Sequence, residues 1–230
     1  MTKAGFVYTS TTPELIQLLE DETEKQFGDS IQILTYTDPS ILSETREHGY
    51  VTPNAAARLI TMYLQAVQDG AEAVLNICSS VGEAADSAQS IAKYIGVPIV
   101  RIDEAMCRDA LLIGRRICVL ATLATTLEPT KNTLRRLARE MGRNDFVLID
   151  GLVDAFGLNR EQLQKRLITK ALEAGRDADV ILLCQGSMAC CEQMVAEACS
   201  KPVVSSPRYG IAALKKALTE KGMYGRKELE

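Results

Sequence analysis

The chain has 230 residues, 47% of them hydrophobic and 24% charged, enough apolar material for one large domain or two small ones. A formal charge of −4 gives no basic excess for nucleic acid or an acidic membrane surface. No apolar stretch approaches the roughly 20 residues that span a bilayer, and the N-terminus MTKAGFVYTS lacks the apolar core of a secretory signal, so a soluble, cytoplasmic protein is expected.

In chain order, Ala4–Tyr8 is an apolar run that predicts a first strand. A helix follows, with Thr11 or Thr12 as its cap, Pro13 in its first turn, and Leu15, Leu18 and Leu19 on one face. Ile31–Tyr36 predicts the second strand, and "TDPSILSETREHGYVTP" a long irregular connection of the kind that forms lids. Asn54–Asp69 reads as a helix closed by Gly70, Glu72–Ile77 as a buried strand, Val81–Ile95 as a helix and Pro98–Arg101 as a short strand. The pattern then restarts. Strands are expected at Arg116–Ala121, Asp145–Ile149, Asp179–Leu183 and Pro202–Val204. Helices are expected at Pro129–Met141, Arg160–Ala174, Ala189–Cys199 and Tyr209–Glu220, with a frayed tail "GMYGRKELE".

Short apolar strands alternating with helices imply an α/β protein with parallel sheets flanked by helices. "GAEAVLNICSS…GVPIVRIDEA" and "DADVILLCQGS…SKPVVSSPRYG" repeat one arrangement, so two similar lobes are expected: residues 1–100 with 207–230, and residues 101–206. Ligands in such sheets bind beyond the carboxyl ends of the strands. Those ends carry Thr9-Ser10, Cys78-Ser79, Thr122 through Thr126, and Cys184 through Ser187.

Cys78 stands between a buried strand and a helix N-terminus, where unpaired N–H groups and the helix dipole favour a thiolate. Ser79 and Ser80 beside it can cap or donate to an anion; a small buried packing cysteine is the plainer alternative. "VLATLATTLEPTKNTL" brings Thr122, Thr125 and Thr126 ahead of a helix, a pattern for carboxylate or phosphate, or for simple capping. No GxGxxG or GxxxxGK[ST] is present, which disfavours a nucleotide. In "DADVILLCQGSMACCEQM", Gly186 allows close approach of a ligand and Ser187 supplies a hydroxyl. Here the repeat can be drawn in two registers: thiol to thiol, pairing Cys184 with Cys78, or "AEAVL" to "ADVIL", pairing Gln185 with Cys78. The second matches more positions. A one-residue shift flips the side chain to the other face, so the choice decides between two thiols and a thiol with an amide.

Seven cysteines and a single histidine, without CxxC spacing, disfavour both a disulfide framework and a metal site. Cys190, Cys191 and Cys199 read as helix packing, His48 as a solvated loop residue, and Arg135, Arg136 and Arg139 as a solvated helix face. Arg46 and Tyr50 share the loop of His48 and can close over an acidic ligand.

"NICSSVGEAAD", "VLATLATTLEPT" and "VILLCQGSMA", with "GFVYTSTTPEL" at the start, resemble the Asp/Glu/hydantoin racemase superfamily over nearly the whole chain. The resemblance implies two pseudo-symmetric α/β lobes with the active site in a cleft between them, no cofactor, and chemistry at the carbon next to a carboxylate or carbonyl of an Asp/Glu-like amino acid or hydantoin. It implies pairing into dimers. It makes Cys78 the first-lobe base, with Ser79 beside it, and gives carboxylate binding to Thr9 or Ser10 and to Thr122, Thr125 and Thr126. The family's second-lobe cysteine usually follows a glycine. Here the matching dipeptide is Cys184-Gln185, so Gln185 stands where that thiol belongs. A racemase is the leading expectation. The alternatives are a one-cysteine decarboxylase or cis–trans isomerase, and a silent protein that only binds a small acid, in which the Gln185 amide would hold a carboxylate or enolate oxygen.

Overall fold

A computed structural model describes residues 1–227, with side chains to residue 221. The chain divides into two units, Met1–Ile102 with Pro207 onward, and Asp103–Ser206.

In the first unit the order is β1 (Thr2–Tyr8), α1 (Pro13–Phe27), β2 (Ile31–Thr37), α2 (Pro39–His48), α3 (Pro53–Gln68), β3 (Ala73–Ile77), α4 (Gly82–Ile95) and β4 (Ile99–Arg101). Its parallel sheet has the order β2-β1-β3-β4. Alternation along β3 separates two cores. Val74 faces Leu59, Tyr63 and Ala85 on the α3 and α4 side, and Cys78 packs against this same cluster. Leu75 and Ile77 face Leu15 and Leu19 of α1 on the other side. Ile211 and Leu214 complete that side from the last helix, α9 (Ser206–Lys227).

The second unit runs α5 (Glu104–Ile113), β5 (Arg116–Ala121), α6 (Ala124–Glu140), β6 (Val147–Leu152), α7 (Arg160–Ala174), β7 (Val180–Leu183), α8 (Glu192–Cys199) and β8 (Val203–Ser205). Its parallel sheet, β6-β5-β7-β8, repeats the strand order of the first. Ile181 and Leu183 face Leu167, Ala171 and Val195 of α7 and α8.

Four expectations need correction. "TDPSILSETREHGYVTP" is not an irregular loop: it contains α2. Asp38 caps it by accepting from Ser40 N at 3.0 Å, Pro39 opens it and Gly49 closes it at φ 80°. Arg58 of α3 then ties α2 down through Asp38 at 3.1 Å and through Glu44. The helix expected at Pro129–Met141 begins five residues earlier, so Pro129 lies inside α6 rather than at its start. The strand expected at Asp145–Ile149 is displaced to Val147–Leu152 by a turn in which Arg143 pairs with Asp145 at 3.2 Å. The helix expected at Ala189–Cys199 is a 3₁₀ segment, Gly186–Cys191, followed by α8. Of the tail "GMYGRKELE", the helix reaches Lys227; its side chains and residues 228–230 lie outside the described residues.

Candidate active site at the strand ends

Four helices start under a side-chain cap: Thr12 on α1, Asp38 on α2, Thr52 on α3 and Asn159 on α7. Among the described starts without a side-chain cap bond, which include α5 at Asp103, three follow the strand ends already singled out: the 3₁₀ turn Ser79–Val81 that opens at Cys78 and leads into α4, the start of α6 at Leu123, and the 3₁₀ segment that opens at Gln185. A helix start left uncapped by the protein offers its N–H groups to a ligand.

In the first unit, Cys78 takes extended backbone at φ −160° and is half-buried, with Ser79 and Ser80 buried behind it. The β1–β3 ladder pairs Tyr8 with Ile77, which brings the next residues, Thr9 and Cys78, to the same sheet end. Thr9 is fully buried and its Oγ1 has no hydrogen-bond partner among the described residues. An unsatisfied buried hydroxyl costs roughly 1–3 kcal/mol, a burden usually found where a ligand or water completes the bond. Ser10, its neighbour, is exposed. Sequence reasoning missed Thr45, whose Oγ1 is likewise buried and without a partner among the described residues, on α2, the helix packed beside the Cys78 turn. The Asp38-Pro39 cap signal would have revealed that helix.

In the second unit, Thr122 and Gln185 lock together. Thr122 N donates to Gln185 Oε1 at 2.9 Å, and Gln185 Nε2 donates to Thr122 Oγ1 at 2.6 Å. Thr125 lies in the first turn of α6 with its Oγ1 buried and without a partner among the described residues. Thr126 is buried, and its carbonyl accepts from Thr130 Oγ1 at 2.8 Å. Gly186 opens the 3₁₀ segment and the Ser187 carbonyl accepts from Cys190 Sγ at 3.5 Å.

The sheet ladders distinguish the two registers of the repeat. Val74 N donates to Pro98 O at 2.9 Å, and Ile181 N donates to Pro202 O at 3.0 Å, so Val74 corresponds to Ile181. Counting on, Asn76 corresponds to Leu183 and Cys78 to Gln185; each opens a 3₁₀ turn. Cys184 points to the opposite face. It is fully buried, and burial pushes its thiol well above the ordinary range although Thr130 hydrogen-bonds it. The ladders thus agree with the register that pairs Gln185 with Cys78, the one that matches more positions in the sequence.

The remaining cysteines read as packing. Cys107, Cys118 and Cys191 are fully buried, and burial pushes the Cys118 thiol up to about 12. His48 ends α2 with Nδ1 3.0 Å from the Glu44 carbonyl and its ring edge-on to exposed Tyr50. Of the arginines on α6, Arg136 pairs with Glu104 at 3.3 Å and with Glu140 at 2.7 Å. Among the described residues, no group of three His, Cys, Asp or Glu could hold a metal ion, and no helix is long and apolar enough to cross a membrane.

The Asp/Glu/hydantoin racemase family model matches residues 5–214. The chain belongs to the Asp/Glu/hydantoin racemase family. Among solved structures it is similar to the allantoin racemase from Klebsiella pneumoniae, at 19% identity and TM-score 0.62, covering 95% of this chain and 88% of that one. A glutamate racemase isoform from Bacillus anthracis is similar at 14% identity and TM-score 0.70, covering 96% and 83%. An unliganded arylmalonate decarboxylase is similar at 16% identity and TM-score 0.58, covering 95% and 93%. At these identities the likeness speaks for the fold. No curated protein sequence matches the chain.

Proposed function

We propose that this family member is a cofactor-independent enzyme with one working thiol, Cys78, acting at the carbon next to a carboxylate or carbonyl of a small acid or hydantoin. The observation that carries the reading is the equivalence of Gln185 with Cys78, while the neighbouring thiol of Cys184 is buried on the other face. Two-base racemisation needs a proton donor on each side of the carbon, and a carboxamide cannot fill that role. One thiol suffices for an isomerase or decarboxylase.

In this reading the uncapped turn at Cys78 favours the thiolate, which takes the proton from the reacting carbon and, as the thiol so formed, returns one to the same face. In a decarboxylation the bond to the carboxylate breaks with loss of CO2 and the thiol delivers the proton; in a cis–trans isomerisation the thiolate adds to the double bond and is expelled after rotation. The open hydroxyl of Thr9, at the same sheet end, receives a substrate oxygen. Within the second unit, Thr125 and the uncapped start of α6 offer groups of the same kind, and Gln185 has both ends of its amide engaged with Thr122, so it orders that loop. A small acid as partner suits the hydroxyl-rich strand ends, and the negative net charge gives no basic excess for nucleic acid.

The test is a substrate panel of aspartate, glutamate, substituted hydantoins, small malonates and unsaturated diacids. Proton NMR in D2O reads deuterium uptake, loss of carboxylate and double-bond isomerisation, and polarimetry reads optical purity. Turnover without loss of optical purity is expected. Loss of optical purity catalysed by the wild-type chain would refute the single-thiol reading.

A further inference from the structure

The two units offer an internal comparison. β3 reads Ala-Val-Leu-Asn-Ile and β7 reads Val-Ile-Leu-Leu, with Asn76 corresponding to Leu183. The short strands beside them differ in the same place: Asn76 pairs with Arg101, whereas Leu183 pairs with Ser205. Behind Cys78 the first unit thus buries an amide and a guanidinium, where the second, behind Gln185, buries a leucine and a serine.

Arg101 has a side chain with no exposed surface, and its Nη1 lies 2.8 Å from Asp86 Oδ2 on α4. Its guanidinium rests against Gly82, the first residue of α4: a Cβ there would lie 2.6 Å from Cζ. The charge therefore sits under the helix turn that Cys78 opens. Tyr63 Oη donates to Asn76 Oδ1 at 2.9 Å, and Asn76 Nδ2 donates to the Cys78 carbonyl at 2.9 Å. The same groups act on one another electrostatically. Burial raises the Tyr63 phenol, the Cys78 and Asp86 charges raise it further, and Arg101 opposes them.

Burying a guanidinium is expensive, and a well-packed apolar residue usually serves the fold as well or better. The second unit has no guanidinium at the equivalent position, where Ser205 instead donates to Glu192. A buried guanidinium lies beside the strand that leads to the thiol, and a serine takes its place beside the strand that leads to the amide.

We propose that Arg101 is a positioning residue for Cys78: its permanent positive charge holds the thiol as thiolate at neutral pH, Asp86 moderates that charge, and Tyr63 and Asn76 fix the Cys78 backbone. This rests on Cys78 being the working thiol. Arg101 cannot lose its proton in the accessible range, so its effect persists wherever the thiol titrates. Further charged or titratable groups on elements packed against this turn are Glu83 on α4, Arg58 on α3, and Glu44, Arg46, Glu47 and His48 on α2. Of these, Arg58 and Glu44 are bound to each other.

The experiment is the pH dependence of Cys78 alkylation by iodoacetamide in the full chain, read by peptide mass spectrometry. Wild type, Arg101→Met, Arg101→Lys and Asp86→Asn are compared, with circular dichroism checking the fold. Arg101→Met is expected to raise the Cys78 midpoint by at least one unit, about tenfold slower alkylation below both midpoints. Asp86→Asn is expected to lower the midpoint, and Arg101→Lys to stay near wild type. A purely structural pair would move both midpoints the same way or leave both unchanged, and either result overturns the proposal. If Arg101→Met does not fold, Asp86→Asn decides alone: a lowered midpoint supports the proposal, and an unchanged or raised one overturns it. Turnover by Cys78→Ser reports separately on the catalytic reading: activity surviving that change would remove it without altering the alkylation result.

Discussion

Gly82→Ala separates local propensity from packing, because the two predict opposite signs. Gly82 has φ −58° and ψ −37°, ordinary helical values, so alanine costs nothing in backbone strain. Helix propensity alone would then stabilise the variant by up to about 1 kcal/mol. The added Cβ, however, would lie 2.6 Å from Arg101 Cζ and 3.0 Å from Nε, and nearer still to Nη2. On a surface an arginine tip would swing aside. Arg101 is fully enclosed and held by the partly exposed Asp86, so the methyl must push a buried guanidinium. Overpacking costs roughly 1–3 kcal/mol, and losing one partner of a buried pair roughly 3–5 kcal/mol. Against the small helical gain, a net destabilisation of about 1–3 kcal/mol follows. With a urea slope of about 2 kcal/mol/M, the midpoint falls by roughly 0.5–1.5 M. Urea titration followed by far-ultraviolet circular dichroism, at unchanged slope, measures it. A variant as stable as wild type, or more so, would refute the placement of the guanidinium against Gly82.

Asp179 accepts from the backbone N–H groups of Arg115 and Arg116, each at 2.8 Å, and these bonds hold its carboxyl below the ordinary 3.8. A depressed carboxylate adds stability above its unfolded value and loses it as pH falls through the folded one. Asp179→Asn should therefore weaken the protein at pH 7, and the gap to wild type should close below 3.8; urea midpoints against pH read it. Thr12→Ala removes the acceptor for Leu15 N at 3.2 Å, and losing an N-cap costs about 1 kcal/mol. Thermal melts should fall by roughly 2–4 °C. Gln185→Cys places a thiol at the position equivalent to Cys78, and is expected to add loss of optical purity to turnover on a chiral substrate; polarimetry showing none would sink the equivalence as a functional one.

The alternation of short apolar runs with helical periodicity made both sheets and most helices legible, because parallel strands buried on both faces leave little ambiguity. The register of the repeat was not: Cys184 and Gln185 are adjacent, and only the ladder from Pro202 to Ile181 distinguishes their faces. α2 was obscured by its polar composition, although Asp38, Pro39 and Gly49 spelled its ends. Pro129 misled by looking like a helix start while lying inside α6. Among site residues, Cys78, Thr9 and Thr125 stood out as polar groups at strand ends. Thr45 and Arg101 did not: their significance lies in burial and in what packs across the sheet, which a linear pattern does not carry.

The most direct test compares wild type, Cys78→Ser and Cys184→Ser for turnover of whichever panel compound the wild type consumes, with circular dichroism as the folding control. Loss of turnover in Cys78→Ser, by roughly 10²-fold or more, together with its persistence in Cys184→Ser, is the predicted result. A folded Cys184→Ser chain that loses turnover, or a Cys78→Ser chain that keeps it, would contradict the assignment of the chemistry to Cys78.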